Sequence, residues 1–285
     1  MAPPEILQCW NDFKVLPLPR GAFAPWYLSP PQVGVVIGTY AAVPYIHLQL
    51  EARRRFYPHV PLLVHDDASN RRNDLERLCA SYGCDFEVNT ERQPPCVGDL
   101  TAFAGGLLWA RKRGVCLLLK LSRRWIFKTD WSKSLAELAL ASQYATIGSY
   151  TTSFNFGFRT ECLALSVDAW TQPAVFREIC GPIHRRESVF VEGYLHNVAR
   201  QLETLNGTAA THWQECHPMT SDKNGYALWT LMGTDRRARS DDYLWHDSAT
   251  PVDYFRLARD WSLPYAESDF VDPNQGEGDR PQFPV

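Results

Sequence analysis

One segment near the start of the chain, residues 33–69, restricts the fold more than any other. It opens with the apolar run 33–37, which has the β-branched composition of a strand buried on both faces. A turn at 38–40 separates this run from apolar residues at helical spacing, and a second apolar run at 61–64 follows. A strand, a helix and a strand of these lengths form a right-handed parallel crossover. The segment therefore predicts an α/β protein with parallel strands.

Polar side chains follow both strands of this unit. Thr39 and Tyr40 come after the first strand, and Asp66 and Asp67 come after the second. The carboxyl ends of parallel strands meet at one edge of a sheet, and ligands of such sheets bind there. We therefore expect these four residues to lie side by side and to contact a ligand.

The order and spacing of these parts resemble the opening of the GT-A-type glycosyltransferases, close to their family-2 branch. The matching pieces are IGTY at 37–40, LQLEARRRFYP at 48–58 and VHDDAS at 64–69, and the resemblance extends over roughly residues 33–203. It implies a GT-A-like (Rossmann-like) mixed, mainly parallel sheet with helices on both faces. It also implies transfer of a sugar from a nucleotide-sugar donor to a carbohydrate or other hydroxyl acceptor. The four polar residues at the strand ends would then hold the nucleotide.

Residues 98–113 predict a long helix with two adjacent glycines, Gly105 and Gly106, in its middle. Each glycine costs a helix roughly 1 kcal/mol relative to alanine, so we expect another part of the fold to approach the helix closely there. In the resembled family, the matching helix runs beneath the donor sugar.

The next apolar run, 115–119, predicts a central strand, and the residues after it depart from the resembled family. GT-A enzymes usually end this strand with Asp-x-Asp, which holds a divalent metal against the donor diphosphate. This chain places Lys120, Arg123 and Arg124 there instead. The resemblance then implies that these cations neutralise the leaving diphosphate without a metal, and that arginine makes bidentate contacts with it.

Other interpretations of this departure stay open. The basic run can be a solvated strand end, or the chain can be a non-catalytic nucleotide-sugar-binding or partner subunit. Asp130 can act as a displaced acid, and if Mn²⁺ or Mg²⁺ is bound, Asp130, His212 and His217 are the ligands to test first. A nucleotidyltransferase shares the first strand–helix–strand unit, but residues 38–41 lack the Gly- and Lys/Arg-rich loop of those enzymes.

A candidate catalytic base lies near the end of the resembled region. Ser188 can cap a helix whose apolar stripe runs from Val191 to Leu202, which puts Glu192 in the first turn. Inverting GT-A enzymes place in this region an acid that takes the proton from the acceptor hydroxyl. The resemblance implies Glu192 as this base, with Glu187 second. The alternative is that Glu192 only complements the helix dipole.

The composition limits the binding partners and the cellular compartment that we expect for this protein. A net charge of −3 disfavours nucleic acid as a main partner. No apolar run approaches the roughly 20 residues of a membrane span. The eight cysteines include no CxxC pair, and the start of the chain lacks the basic and apolar regions of a secretion signal, so we expect a reduced, cytoplasmic protein.

Three regions are expected along the chain. Residues 1–32 are rich in proline and aromatic residues and predict an irregular N-terminal arm with a short strand at 14–16. Residues 33–234 are expected to form the catalytic domain. Residues 235–285 predict a C-terminal extension with a helix at 253–258, which could form a lid or an oligomer contact.

Overall fold

The computed structural model describes residues 27–94, 96–143, 145–148, 150–151, 157–158, 160–206, 243–244 and 249–270. Its strands are β1 (Val33–Thr39), β2 (Leu62–Asp66), β3 (Asp85–Val88), β4 (Leu117–Ser122), β5 (Ile126–Phe127), β6 (Thr146–Ile147), β7 (Tyr150–Thr151), β8 (Gly157–Phe158), β9 (Cys162–Ser166) and β10 (Tyr243–Leu244). Six of them form the central sheet, in the order β3-β2-β1-β4-β9-β6.

The central sheet is mixed and mainly parallel. β1 lies between β2 and β4 and is parallel to both, and β3 is parallel to β2. β9 is antiparallel to β4 and to β6. The sheet type predicted from the sequence is therefore confirmed. Two antiparallel ribbons accompany this sheet, one formed by β5 with β10 and the other by β7 with β8.

Helices cover both faces of the sheet, as predicted. They are α1 (Val43–Phe56), α2 (Arg72–Ser81), α3 (Val97–Arg113), α4 (Ser132–Ser142), α5 (Val167–Trp170), α6 (Pro173–Arg185), α7 (Val191–Asn206) and α8 (Pro251–Asp260), and a 3₁₀ turn follows at Glu267–Phe270. Pro44 suits the first turn of α1, where a helix has no partner for its N–H groups. Gly114 ends α3 in the left-handed conformation that glycine adopts without strain.

Alternating residues of β1 pack on opposite helices. Val35 and Ile37 lie in one apolar core with residues of α1, α2 and α4, whereas Val36 lies in a second core with residues of α3, α6 and α7. Successive side chains of a strand point to opposite faces, so this division continues to the strand ends. It decides which polar side chains at the carboxyl edge can meet.

The two adjacent glycines of α3 lie against the sheet. A Cβ on Gly106 would stand 2.7 Å from Val36 Cγ1, and a Cβ on Gly105 would stand 3.0 Å from His65 Cδ2. Such distances are too short for carbon atoms in van der Waals contact. The close approach that the glycine pair predicted is confirmed, and it brings the start of α3 near the ends of β1 and β4.

We expect Gly106→Val to destabilise the protein by about 1–3 kcal/mol, the usual cost of forcing extra methyl groups into a packed interior. The gain in helix propensity is a few tenths of a kcal/mol and does not offset this cost. Urea unfolding followed by circular dichroism measures the difference. Arg111→Val, on the exposed end of the same helix, is the control and should stay within about 0.5 kcal/mol of the wild type. Equal stability of the two variants would contradict the close packing of α3.

Residues 249–270 pack on α1, whereas β10 pairs with β5. Tyr254, Ala258 and Phe270 form a small apolar core with Tyr45 and Leu48 of that helix. The hydroxyl of Tyr45 donates to the backbone carbonyl of Phe270. The predicted C-terminal helix is present as α8, and it covers the outer side of α1 in this structure.

Two other predictions concern the helix after Ser188 and the short strand in the N-terminal arm. The helix predicted after Ser188 begins at Val191, three residues later, and Glu192 falls in its first turn as predicted. The predicted short strand at 14–16 lies outside the described residues. Among the helices of the described ranges, none has both the length and the apolar character needed to cross a bilayer.

Candidate active site

The candidate site lies at the carboxyl edge of the central sheet. Thr39 at the end of β1 is the register partner of Asp66 at the end of β2, and Gly38 is the partner of Ser122 at the end of β4. The sequence-predicted positions of Thr39 and Asp66 are therefore neighbours. Three residues next to this edge, Ala41, Ala68 and Cys96, have φ angles of 52°, 54° and 68°, which are uncommon for residues other than glycine. Strained backbone of this kind often occurs at functional sites.

The two adjacent aspartates have different surroundings because successive residues face opposite sides of the sheet. Asp66 is fully buried, and its Oδ2 accepts a hydrogen bond of 2.8 Å from the backbone N–H of Ser69. Burial raises the pKa of Asp66, and the bonds from Ser69 oppose this rise. Within the described ranges, Asp66 Oδ1 and the neighbouring Thr39 Oγ1 have no hydrogen-bond partner. Asp66 thus closes the turn after β2 and keeps one unused acceptor.

Asp67 lies on the α3 side and is half-buried. Its Oδ1 accepts hydrogen bonds from Asn89 Nδ2 at 2.7 Å and from the backbone N–H of Gln93 at 3.0 Å. Its Oδ2 faces Gly98 in the first turn of α3, where a Cβ would collide with the carboxylate. Burial is the main cause that raises the pKa of Asp67. Asn89 was not among the residues predicted from the sequence, although it follows β3 in the same way that Asp67 follows β2.

Tyr40 supplies an aromatic ring at the carboxyl edge of the sheet. The guanidinium of Arg92, in the loop between β3 and α3, lies 4.1 Å from the centre of the Tyr40 ring. A cation over an aromatic face is attracted to it by about 0.5–1 kcal/mol at an exposed site. The Tyr40 ring and the Arg92 guanidinium therefore form a stacked pair beside Asp67.

Lys120 does not lie at an exposed strand end. β4 continues to Ser122, so Lys120 is inside the strand and its side chain is 2% exposed. Its ammonium contacts both carboxylate oxygens of Asp99, at 2.6 and 2.8 Å, and the backbone carbonyl of Thr160 at 2.9 Å. It also lies 5.0 Å from the centre of the Phe103 ring. Asp99 was not among the site residues predicted from the sequence; its position in the first turn of α3 places it next to the Lys120 ammonium.

The residues at the end of β4 do not suit a divalent metal. Hard divalent cations need several oxygen ligands, usually carboxylates. Near the end of β4, the chain has the buried ammonium of Lys120, which already bonds the carboxylate of Asp99. Among the described residues, His, Cys, Asp and Glu side chains form no group of three or more that could hold a metal ion.

Arg123 and Arg124 form the turn between β4 and β5, and both are half-buried. Gln49 of α1 donates from its Nε2 to the carbonyls of Ser122 and Trp125, at 2.7 and 2.6 Å. The hydroxyl of Tyr254 in α8 donates to the carbonyl of Arg124 at 2.6 Å. The backbone of this arginine turn is thus fixed from α1 and from the C-terminal helix.

The two candidate bases have different environments. Glu192, in the first turn of α7, is half-buried, and its Oε1 lies 3.4 Å from Thr160 Oγ1. Burial is the main cause that raises the pKa of Glu192; Asp99 and Glu161 add to the rise, and Lys120 opposes it. Glu187 is exposed in the loop before α7 and forms an ion pair of 2.9 Å with Arg185. Of the two, Glu192 is the one that lies next to the end of β4 and the start of α3.

Asp130, a further candidate, is not part of this group. Asp130 accepts from the backbone N–H of Ser132 and lies 3.8 Å from His59, which is between the end of α1 and the start of β2. Since α1 runs antiparallel to the strands, this contact is at the amino edge of the sheet, opposite the site. His212 and His217 lie outside the described residues.

No protein-family model matches this chain, and no curated protein matches its sequence. Solved structures that resemble it are glycosyltransferases, the class that the sequence resembles. A mannosyltransferase of Pyrobaculum calidifontis in complex with GDP-Man and Mn²⁺ is 15% identical over 59% of this chain and 52% of that chain, with a TM-score of 0.38. The apo-form glycosyltransferase GlyE of Streptococcus pneumoniae is 14% identical over 72% of this chain and 61% of that chain, with a TM-score of 0.40.

Another similar structure is the glucosyl-3-phosphoglycerate synthase of Mycobacterium tuberculosis in complex with Mn²⁺, UDP and glucosyl-3-phosphoglycerate. It is 11% identical over 64% of this chain and 82% of that chain, with a TM-score of 0.38. This chain spans 52% and 61% of the lengths of the mannosyltransferase and GlyE structures. At these identities and TM-scores the likeness carries no argument about activity or substrate.

Proposed function

We propose that this protein transfers a sugar from a nucleotide-sugar donor to a hydroxyl acceptor, and that it does so without a divalent metal. The observation that carries the proposal is the position of Glu192. Helix α7 brings this half-buried carboxylate to the same edge of the sheet as the ends of β1, β2 and β4, beside Thr160. Ligands of open α/β sheets bind at this edge, so a base there can reach a bound substrate.

The nucleotide is proposed to bind at the ends of β1 and β2. Asp67 is half-buried, and its carboxylate can accept from a base N–H or a ribose hydroxyl. Asp66 and Thr39 are buried beside it, and their unused polar atoms become available to the nucleotide only if the strand ends open. The ring of Tyr40, stacked with Arg92, offers a flat surface to a base or ribose. Because Asp67 is held by Asn89 and Gln93, its carboxylate is already oriented before a ligand binds.

The diphosphate is proposed to bind Arg123 and Arg124. Guanidinium groups make bidentate contacts with phosphate oxygens and keep their charge at any physiological pH. The fixed backbone of the arginine turn reduces the entropy lost when the two side chains engage a ligand. Lys120, the third cation predicted from the sequence, is buried and already ion-paired.

Glu192 is proposed as the general base. The acceptor oxygen forms a bond to the anomeric carbon, its proton passes to the Glu192 carboxylate, and the bond from that carbon to the nucleoside diphosphate breaks. Two arginines stabilise the negative charge that develops on the leaving group. A pKa raised by burial makes Glu192 a stronger base than an exposed glutamate, which suits proton abstraction near neutral pH.

Turnover of nucleotide sugars tests this proposal. Purified protein is incubated in EDTA with UDP-, GDP-, CMP- and dTDP-linked sugars, and the release of free nucleotide is followed with and without hydroxyl acceptors. We expect nucleotide release from at least one donor, faster when an acceptor is present. Absence of release from every donor, with and without Mn²⁺, would contradict the proposed activity.

A non-catalytic nucleotide-sugar-binding protein is the second candidate function. It is favoured by one observation, the buried ion pair of Lys120 and Asp99 at the end of β4. Such a protein would bind a nucleotide at the same edge and show no turnover. The release assay together with a binding measurement separates it from the enzyme.

A further inference from the structure

Four residues at the carboxyl edge of β4 form one connected chain of polar contacts. The ammonium of Lys120 bonds the carboxylate of Asp99 on one side and the carbonyl of Thr160 on the other. The side-chain hydroxyl of the same Thr160 lies 3.4 Å from Glu192 Oε1. Thr160 therefore connects Lys120 to the candidate base. Its main-chain carbonyl accepts from Lys120, and its side-chain hydroxyl lies next to Glu192.

The side chain of Lys120 is more buried than those of the two arginines that follow it. The Lys120 side chain is 2% exposed, whereas that of its partner Asp99 is 31% exposed. Arg123 and Arg124 are half-buried on a turn. Asp99 and the arginines are thus partly accessible to solvent, while the ammonium of Lys120 is covered by the groups that bond it.

Gly38 of the neighbouring strand β1 leaves space for the Lys120–Asp99 pair. At Gly38 of β1, a Cβ would stand 3.3 Å from Asp99 Oδ1, 3.0 Å from Ala102 Cβ and 3.9 Å from Lys120 Cε. A side chain at this position would press on the ion pair from below. The Lys120–Asp99 pair is therefore closely packed, and its two partners have little freedom to move toward a ligand.

Charged and titratable groups surround Glu192 from three elements. Asp99 and Cys96 belong to the start of α3, Lys120 to β4, and Glu161 to the segment that leads into β9. Burial is the largest influence on the pKa of Glu192, Asp99 and Glu161 raise it further, and Lys120 lowers it. Lys120 is thus the cation that favours the ionised, proton-accepting form of Glu192.

We propose that Lys120 is a positioning residue for Glu192 and not a ligand of the diphosphate. Asp99 holds the Lys120 ammonium in place. Thr160, which contacts both Lys120 and Glu192, links the position of the ammonium to that of the Glu192 carboxylate. This inference rests on the proposed role of Glu192 as the base. It leaves Arg123 and Arg124 as the cations that contact the diphosphate.

Carbon NMR of the glutamate side chains tests this directly, without a substrate. In protein labelled with ¹³C at the glutamate carboxyl carbon, the signal that disappears in Glu192→Gln reports the titration of Glu192. We expect its midpoint to move to higher pH in Lys120→Met, because a cation that favours the charged form is lost. We expect it to move to lower pH in Asp99→Asn, because a like charge is lost. A general loss of structure would not move the two midpoints in opposite directions.

Matched variants separate the link through Thr160 from the charge itself. Thr160→Val keeps the carbonyl that bonds Lys120 but removes the hydroxyl beside Glu192, so the midpoint should rise. Lys120→Arg keeps the charge and should restore a midpoint near that of the wild type. Lys133→Met, on the exposed surface of α4, should leave the midpoint unchanged. If Lys120→Met fails to fold, Thr160→Val, which leaves the Lys120–Asp99 pair intact, decides the outcome.

Nucleotide affinity distinguishes the two roles of Lys120. Calorimetric titration with UDP and GDP in EDTA should give Lys120→Met an affinity within about twofold of the wild type, and Arg123→Ala an affinity at least about tenfold weaker. Equal loss of affinity in both variants, with an unchanged midpoint for Glu192, would overturn the inference and make Lys120 a diphosphate ligand. If the wild type binds neither nucleotide, the proposed function is in question, while the NMR titration still decides the role of Lys120.

Discussion

Replacing Glu192 with glutamine is expected to slow sugar transfer by about 10²- to 10⁴-fold, the contribution of a well-placed general base. The amide has nearly the same shape but cannot take the proton of the acceptor hydroxyl. Because burial raises the pKa of Glu192, the wild-type rate should also fall as the pH drops through that raised pKa and the carboxylate becomes protonated. Initial rates of nucleotide release, measured across a range of pH, check both expectations.

Two controls make the interpretation of this loss specific. Glu187→Gln changes an exposed glutamate that pairs with Arg185, and its rate should stay close to that of the wild type. The affinity of Glu192→Gln for the nucleotide should also be unchanged, because its role is in the chemical step and not in donor binding. A Glu192→Gln enzyme with the full wild-type rate would show that the base lies elsewhere.

Asp99→Asn is expected to cost about 3 kcal/mol of folding stability, at the lower end for breaking a buried ion pair. The substitution leaves the ammonium of Lys120, 2% exposed, without a carboxylate partner. The amide oxygen can still accept one hydrogen bond, which is why the expected cost is at the lower end. Lys120→Met should cost less, about 1–2 kcal/mol, because the carboxylate left behind on Asp99 is 31% exposed and water can solvate it.

A double-mutant cycle measures the coupling of this pair. The variant Asp99→Asn/Lys120→Met loses both charges, so its cost should be clearly smaller than the sum of the two single costs. Urea unfolding of the four proteins at pH 7 gives the free energies. Additive costs, or a greater loss in Lys120→Met than in Asp99→Asn, would mean that the ammonium is not buried against Asp99.

Local sequence patterns were sufficient to predict the sheet and one part of the site. Apolar runs that end in polar residues correctly predicted that Thr39 and Asp66 would be neighbours, since strand ends meet at one edge of a parallel sheet. The apolar stripe after Ser188 placed Glu192 in the first turn of a helix, and the structure has it there. Each of these predictions depends on spacing within a short segment, which a sequence displays directly.

The features that the sequence did not reveal depend on contacts between distant segments. Lys120 follows an apolar run, which predicts a strand end there, but β4 extends past it and α3 supplies Asp99 as its partner. Nothing in the spacing of Asp99 and Lys120 indicates that they meet. Asn89 is different: it follows a strand, as Asp67 does, and the same argument from strand ends could have identified it.

Calorimetric titration with UDP, GDP, CMP and dTDP, first in EDTA and then in Mn²⁺, tests the central claim most directly. We predict that at least one nucleotide binds in EDTA, that Arg123→Ala and Arg124→Ala weaken this binding, and that Arg111→Ala at the far end of α3 does not. Binding that requires Mn²⁺, or no binding under either condition, would contradict a metal-free nucleotide site at the carboxyl edge of the sheet.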